Sequence, residues 1–240
     1  MIDFALNSIE IIESKLIDPS TLGRNFNGKL FCVHVRVKDI KGRAIEMKQQ
    51  FLDKSWIYEL SPFAKDSYEV RAEGTIKKLV ESILDKVEDK ITEEFGEYLV
   101  CDSARMSLKL KYDHRVLPLA EFWHSRKSNN GGFDFHTVTP EDCIVFGEAK
   151  YNATSNPYSS AIKQVAQFIT DKKDVSDYVH LQNFNLDTAL TNARNLNKGY
   201  AIAFSLQAVD PTKIFSNVLE SEHLQMLLNY PEFYIIGVEL

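Results

Sequence analysis

The stretch Gly131–Tyr151, "GGFDFHTVTPEDCIVFGEAKY", decides how the rest of the chain is read. Phe133 to Val138 and Ile144 to Lys150 are short runs rich in aromatic and β-branched residues, separated by turn-forming residues, which is the pattern of two strands in a hairpin. Three charged residues, Asp134, Glu148 and Lys150, sit inside these apolar runs. Side chains alternate along a strand, so Glu148 and Lys150 project to one face while Ala149 points to the other. Antiparallel pairing then brings Asp134 and Glu148 together near one end. Carboxylates so placed repel each other, and the remedies are protonation of one or a divalent cation between them. Magnesium suits the place because it takes oxygen ligands, keeps part of its water and accepts a phosphate oxygen. Lys150 adds an ammonium group that offsets charge developing on a phosphate during hydrolysis. These residues point to Asp134 and Glu148 as ligands of Mg²⁺, with Mn²⁺ able to substitute, and to Lys150 as the group that positions the attacking water and stabilises the phosphate. The bland alternatives are a strand-edge acid at Asp134 and a surface ion pair of Glu148 with Lys150. "CIVFGEAKY" is too apolar for a fully exposed strand, which counts against the second.

Outward from the hairpin, the N-terminal side divides near Gly74. Lys29 to Val37, "KLFCVHVRV", alternates as a half-buried strand, and "GRAIEMKQQF" (Gly42 to Phe51) is expected to pair with it across "DIKG". Residues 1–74 therefore read as a smaller β-rich portion. From Thr75, Ile76, Leu79, Val80, Ile83, Leu84, Val87, Ile91, Phe95 and Tyr98 recur at three and four, one apolar stripe on a helix of about six turns. Leu117 to Lys127 is a further short helix stopped by "SNNGG". Beyond the hairpin, "NPYSSAIKQVAQFITDKK" is an amphipathic helix and "LDTALTNARNL" carries a helical pattern. "GYAIAFSLQ" is a strand, "SNVLESEHLQMLLNY" a helix and "EFYIIGVEL" a last strand. Residues 75–240 thus order as α, α, β, β, α, α, β, α, β, an α/β arrangement with a mixed sheet.

Composition bounds the function. A chain of 240 residues, 44% hydrophobic, can bury a proper core. No run approaches the roughly 18 apolar residues of a membrane span, and "MIDFALNSIEIIESK" carries acids where a signal peptide carries lysines, so a cytoplasmic protein with no membrane partner is expected. Cys32, Cys101 and Cys143 are widely spaced and odd in number, which indicates buried thiols rather than a disulfide framework. A net charge of −6 argues against a surface built throughout for nucleic acid, although local basic stretches exist at Arg105–Arg115 and His124–Lys127. Solvated lysines are the ordinary reading of each. There is no phosphate-loop, H-E-x-x-H or G-x-S-x-G motif, and the serines near Asn156 fall where a helix start needs caps.

"GFDF" followed by "IVFGEAKY" resembles the D…E-x-K signature of the PD-(D/E)xK nuclease superfamily, and the order helix, hairpin, amphipathic helix matches that superfamily's core. The resemblance implies a restriction-endonuclease-like mixed sheet flanked by helices. It also implies a further metal ligand from the preceding helix, where Glu121 stands in "LAEFWHSRK", and a polar residue facing the site from the following helix, where Gln164 stands, with Lys163 less well aimed. His136 shares a face with Asp134 and reads either as a support behind the site or as a histidine hydrogen-bonded within the hairpin; His124 reads as a groove-edge residue. More narrowly, "GGFDFHTV", "VFGEAKYN", "AIKQVAQFI" and "FYIIGVEL", with the long helix before them, are similar to the nuclease-subunit family of the Hachiman anti-phage defence system. That similarity implies a metal-dependent DNA endonuclease that works with, and is restrained by, a superfamily 2 helicase, with the N-terminal portion as docking or regulatory module. Two alternatives stand beside it: a non-catalytic partner-binding protein on the same fold, and a resolvase or restriction nuclease of the same superfamily.

Overall fold

The computed structural model of the chain describes residues 7–23, 28–87, 91–123 and 132–240. It begins with β1 (Ile9–Ile17), β2 (Lys29–Val37), α1 (Ile40–Leu52), α2 (Ser55–Tyr58), α3 (Pro62–Ser82) and α4 (Glu93–Tyr112). The middle holds β3 (Arg115–Val116), α5 (Ala120–Trp123), β4 (Phe135–Val138), β5 (Ile144–Lys150), α6 (Tyr158–Thr170), α7 (Lys173–Leu181) and α8 (Asp187–Arg194). The end is β6 (Lys198–Leu206), α9 (Pro211–Glu220), α10 (Leu224–Leu227) and β7 (Glu232–Glu239). Among the described residues no helix is long and apolar enough to cross a membrane.

The class is α/β, built on one seven-stranded mixed sheet in the order β1-β2-β7-β6-β5-β4-β3. β2, β7, β6 and β5 are parallel neighbours, while β1, β4 and β3 join antiparallel at the two sides. β6 and β7 are buried along almost their whole length, as central parallel strands covered on both faces must be. α4 packs across β4, β5, β6 and β7, and α6 packs on β5 and β6. The β1 edge, which exposes Leu16, is interrupted by a register shift between Ile11 and Glu13 and carries the Lys15–Glu13 ion pair, features that discourage edge-to-edge pairing.

The expected hairpin is present: Phe135 pairs with Gly147 and Val138 with Ile144 in antiparallel register. Gly147 is required by packing. A Cβ there would lie 2.1 Å from Cζ of the fully buried Phe135 ring. Gly147→Ala is therefore expected to cost about 1–3 kcal/mol, the usual range for overpacking a closed core, read as a lower denaturation midpoint.

The structure corrects two expectations. "GRAIEMKQQF" is helical, within α1, and does not pair with β2. Its buried positions, Arg43, Ala44, Met47 and Phe51, follow a spacing of three and four, and good helix formers fill the gaps. β2 instead pairs with β1 and, in parallel, with β7. The stripe from Ile76 to Tyr98 belongs to two helices. α3 ends at Ser82, Leu84 to Lys86 form a tight turn, and α4 starts afresh at Thr92, whose hydroxyl accepts from the Phe95 N–H at 3.2 Å with Glu93 and Glu94 in the first turn. The apolar period runs through the break because Ile83 and Leu84 stay buried in the turn. Gly74 lies inside α3, with open space where its Cβ would be, and β1 and β2 belong to the same sheet as the hairpin. α7 was not expected; its buried side carries Asp174 and Asp177 while Val175 and Val179 are exposed, which hides the usual apolar stripe.

Candidate functional site

α5 is placed against β4 by backbone hydrogen bonds: the Leu117 N–H donates to the His136 carbonyl at 3.1 Å and the Ala120 N–H to the Asp134 carbonyl at 3.3 Å. This zipper sets Glu121 beside Asp134. On the other side, Asp134 is tied to β5, its N–H donating to the Gly147 carbonyl at 2.8 Å and its carboxylate accepting from the Ala149 N–H at 2.9 Å. α4 comes in over the end of β5 because Gly96 has no side chain, a Cβ there lying 2.4 Å from the Tyr151 ring. These contacts close a cavity of about 310 Å³ at the C-terminal end of β5. In sheets with parallel strands, that end is where ligands bind.

All five residues singled out from the sequence, Glu121, Asp134, Glu148, Lys150 and Gln164, line this cavity. They arrive from α5, the approach to β4, β5 and α6. Lys163, the neighbour of Gln164, does not line it. Glu148 is 1% exposed, and Lys150 donates to its Oε1 at 2.8 Å. The other oxygen, Oε2, is buried and accepts no hydrogen bond; only with the carboxyl protonated can Glu148 share a hydrogen bond with Asp134. Burial, with the Asp134 charge adding to it, pushes the Glu148 carboxyl well above the usual carboxylate range against the pull of Lys150. Burial works to lower the Lys150 ammonium, but Glu148, Asp134 and Glu97 outweigh it, so the net shift is upward.

Four residues of α4 that the sequence did not mark as part of the site, Glu94, Glu97, Tyr98 and Cys101, also line the cavity, and the Tyr98 hydroxyl donates to Glu121 Oε2. Their signal was the helix start at Thr92-Glu93-Glu94. Once α4 begins there, Glu94, Glu97, Tyr98 and Cys101 fall three and four apart on one side. The cavity therefore holds five carboxylates and one ammonium group among its described lining residues.

Among the described residues no three His, Cys, Asp or Glu side chains form a group that could already hold a metal ion. The donor chemistry nonetheless fits a hard divalent cation. All candidate ligands are carboxylates, and the orphaned Oε2 of a buried Glu148 is the atom that a cation would satisfy.

His136 does not line the cavity. It is fully buried, its Nε2 lies 2.9 Å from Asp177 Oδ2 on α7, and Trp123, Phe133 and Phe146 surround it. Its partner is thus across the fold and not within the hairpin. His124 and the basic stretch His124–Lys127 lie outside the described residues, as does the rest of the helix expected to reach Lys127. None of the basic side chains of Arg105–Arg115 lines the cavity, and Arg105 is buried. Cys32, Cys101 and Cys143 are buried, as expected; burial pushes the Cys32 and Cys143 thiols up to about 12.

The raised Glu148 carboxyl has a consequence for stability. The folded state holds this proton more tightly than the unfolded chain does, so the group favours folding below the ordinary carboxylate pKa and loses that contribution as pH rises. Lys150 stays charged throughout that range. Glu148→Gln is therefore expected to raise Tm by about 2–4 °C, the shift that about 1 kcal/mol gives in a chain of this length. Thermal melts from pH 5 to pH 8 should show that advantage growing with pH; a constant or shrinking difference would contradict the assignment.

No protein-family model matches the chain, and no curated protein matches it either.

Proposed function

We propose that this protein is a divalent-metal-dependent phosphodiesterase of the restriction-endonuclease-like kind, acting on DNA. The observation that carries the reading is the convergence of Asp134, Glu148, Lys150, Glu121 and Gln164 on one acidic cavity whose central carboxylate is buried, raised and half unpartnered. Asp134, Glu148 and Glu121 would hold the cation. A bound Mg²⁺ or Mn²⁺ supplies Lewis acidity toward a phosphate oxygen and the attacking water. Everything else is done by the chain itself. The Ala149 N–H fixes Asp134 and the Tyr98 hydroxyl fixes Glu121, so neither carboxylate must reorganise. Lys150, a quarter exposed where Glu148 is not, reaches the cavity and donates to the phosphate as negative charge develops. Gln164 contributes an amide from α6 that orients substrate.

In this reading the chain is the effector of a helicase–nuclease pair of the Hachiman kind, and a superfamily 2 helicase delivers DNA to it. The net charge of −6 and the acidic cavity support a protein that binds DNA weakly by itself. The N-terminal portion, ending in α1, α2 and the exposed Phe63 and Val70 of α3, is the docking surface assigned to that partner.

One observation favours a scaffold without catalysis: Lys150 already donates to Glu148 at 2.8 Å, a pair that stands without a cation. A plasmid-nicking assay separates the two. The chain is incubated with supercoiled DNA and Mg²⁺ or Mn²⁺, alone and with a superfamily 2 helicase added, and again with EDTA. Metal-dependent nicking is the expected result. Folded protein that never cuts in either setting sinks the nuclease reading in favour of the scaffold.

A further inference from the structure

A second cavity, of about 320 Å³, opens where the end of α1, α2 and the second half of α4 meet the segment Leu117–Phe122. We propose that it binds a nucleotide. Its volume is that of a site for one small ligand. Phe51, Trp56 and Phe122 give it aromatic walls, the surface on which a planar base is held. Gln50 also lines it, and the Nε2 of that amide is buried with no hydrogen-bond partner. An amide offers both donor and acceptor to the polar edge of a base.

The rim supplies the remaining chemistry. Lys109 and exposed Arg115 line the mouth and match a phosphate, Arg115 also donating to the Phe184 carbonyl at 2.9 Å. Asp53 and Asp113 line it too; Asp53 accepts from the Ser55 N–H at 2.9 Å, and Asp113 stands exposed at the end of α4. Carboxylates accept from sugar hydroxyls. An aromatic interior with both cations and carboxylates at its rim suits a base, a sugar and a phosphate together better than it suits a simple aromatic acid. The nucleotide is either free or part of a strand.

The position gives the site a consequence. Leu117 and Phe122 face this cavity, whereas Leu119 and Glu121 of the same segment face the cavity of Glu148. The segment is braced internally by the Phe122 N–H donating to the Leu119 carbonyl at 2.9 Å and the Trp123 indole donating to the Pro118 carbonyl at 3.1 Å. A bound nucleotide packs against the wall that carries Glu121. That link to Glu121 rests on the phosphodiesterase reading; the binding itself does not.

Isothermal titration of the full chain with AMP, dAMP, adenosine and a short oligothymidylate tests the site without reference to cleavage. At least one phosphate-bearing probe should bind, adenosine about tenfold more weakly or not at all. Lys109→Glu and Arg115→Glu should each weaken binding by about tenfold, and hydrogen exchange across residues 117–123 should slow on binding. Binding by AMP assigns a free nucleotide; binding by the oligothymidylate alone assigns a nucleotide within a strand. Absence of binding by every probe, adenosine binding as well as AMP, or unchanged affinity in both charge-reversed variants would overturn the proposal.

Discussion

Asp102→Ala is expected to cost about 3–5 kcal/mol, the range for stripping one partner from a buried ion pair. Asp102 is fully buried on α4 between two arginines. Arg43 of α1 donates to its Oδ2, and Arg105 lies 2.6 Å from its Oδ1. Alanine would leave two guanidinium groups with Glu46 as the remaining carboxylate of the cluster, and Arg43 already has an unpartnered Nε. The loss reaches further than the pair. Arg43 also holds Glu46 at 2.9 Å, and Glu46 accepts from the Ser8 N–H at 3.0 Å, so the start of β1 depends on the same network. At the far end, Arg105 donates to the Leu117 carbonyl at 2.7 Å and braces the segment that carries Glu121. Urea unfolding of the variant, with Asp102→Asn as the shape-preserving control, reads the effect. A loss below about 1 kcal/mol, the level of an exposed pair, would show that the cluster contributes little.

The second large effect concerns the proposed chemistry. Glu148→Ala and Lys150→Ala are each expected to slow metal-dependent DNA cleavage by about 100- to 1,000-fold, as removal of one group that stabilises transition-state charge does. Misfolding alone would also lower the rate, and stability separates the two cases. Glu148 is a buried acid at odds with its surroundings, so removing its charge relaxes the fold, in line with the expected gain for Glu148→Gln. Lys150 is the counter-charge, 2.8 Å away, and removing it leaves Glu148 and Asp134 to repel. The two variants should therefore agree in lost activity and part in Tm, alanine at Glu148 melting above alanine at Lys150. Variants that cut as well as wild type would remove the D…E-x-K site from the mechanism. Equal drops in both Tm and rate would reduce these residues to structural parts.

The sequence by itself determined the hairpin and the set of residues on it. A period of two is a local property of a strand, and a charged residue inside an apolar run is conspicuous, so Asp134, Glu148 and Lys150 were legible without any partner. α6 and the parallel strands β6 and β7 were legible for the same reason, as strong periodic or uninterrupted apolar runs bounded by turns. Glu121 and Gln164 were legible only through the resemblance, since an isolated polar residue on a helix carries no sign of what it faces.

Tertiary structure alone decided the rest. Whether Gly42–Phe51 lies as a helix or a strand depended on what covers Met47 and Phe51, and the answer comes from packing against α3 and α4. β1 became an edge strand because β2 was free on that side, while β2's other side was taken by β7 from the far end of the chain. The network through Arg43, Asp102 and Arg105 joins residues 59 positions apart and leaves no periodic trace in either helix. Glu94, Glu97 and Tyr98 reached the cavity because α3 and α4 are separate helices and Gly96 lets α4 approach β5. Periodicity reports which side of an element is apolar. What that side is pressed against, and so which polar groups meet there, is set by contacts between distant parts of the chain.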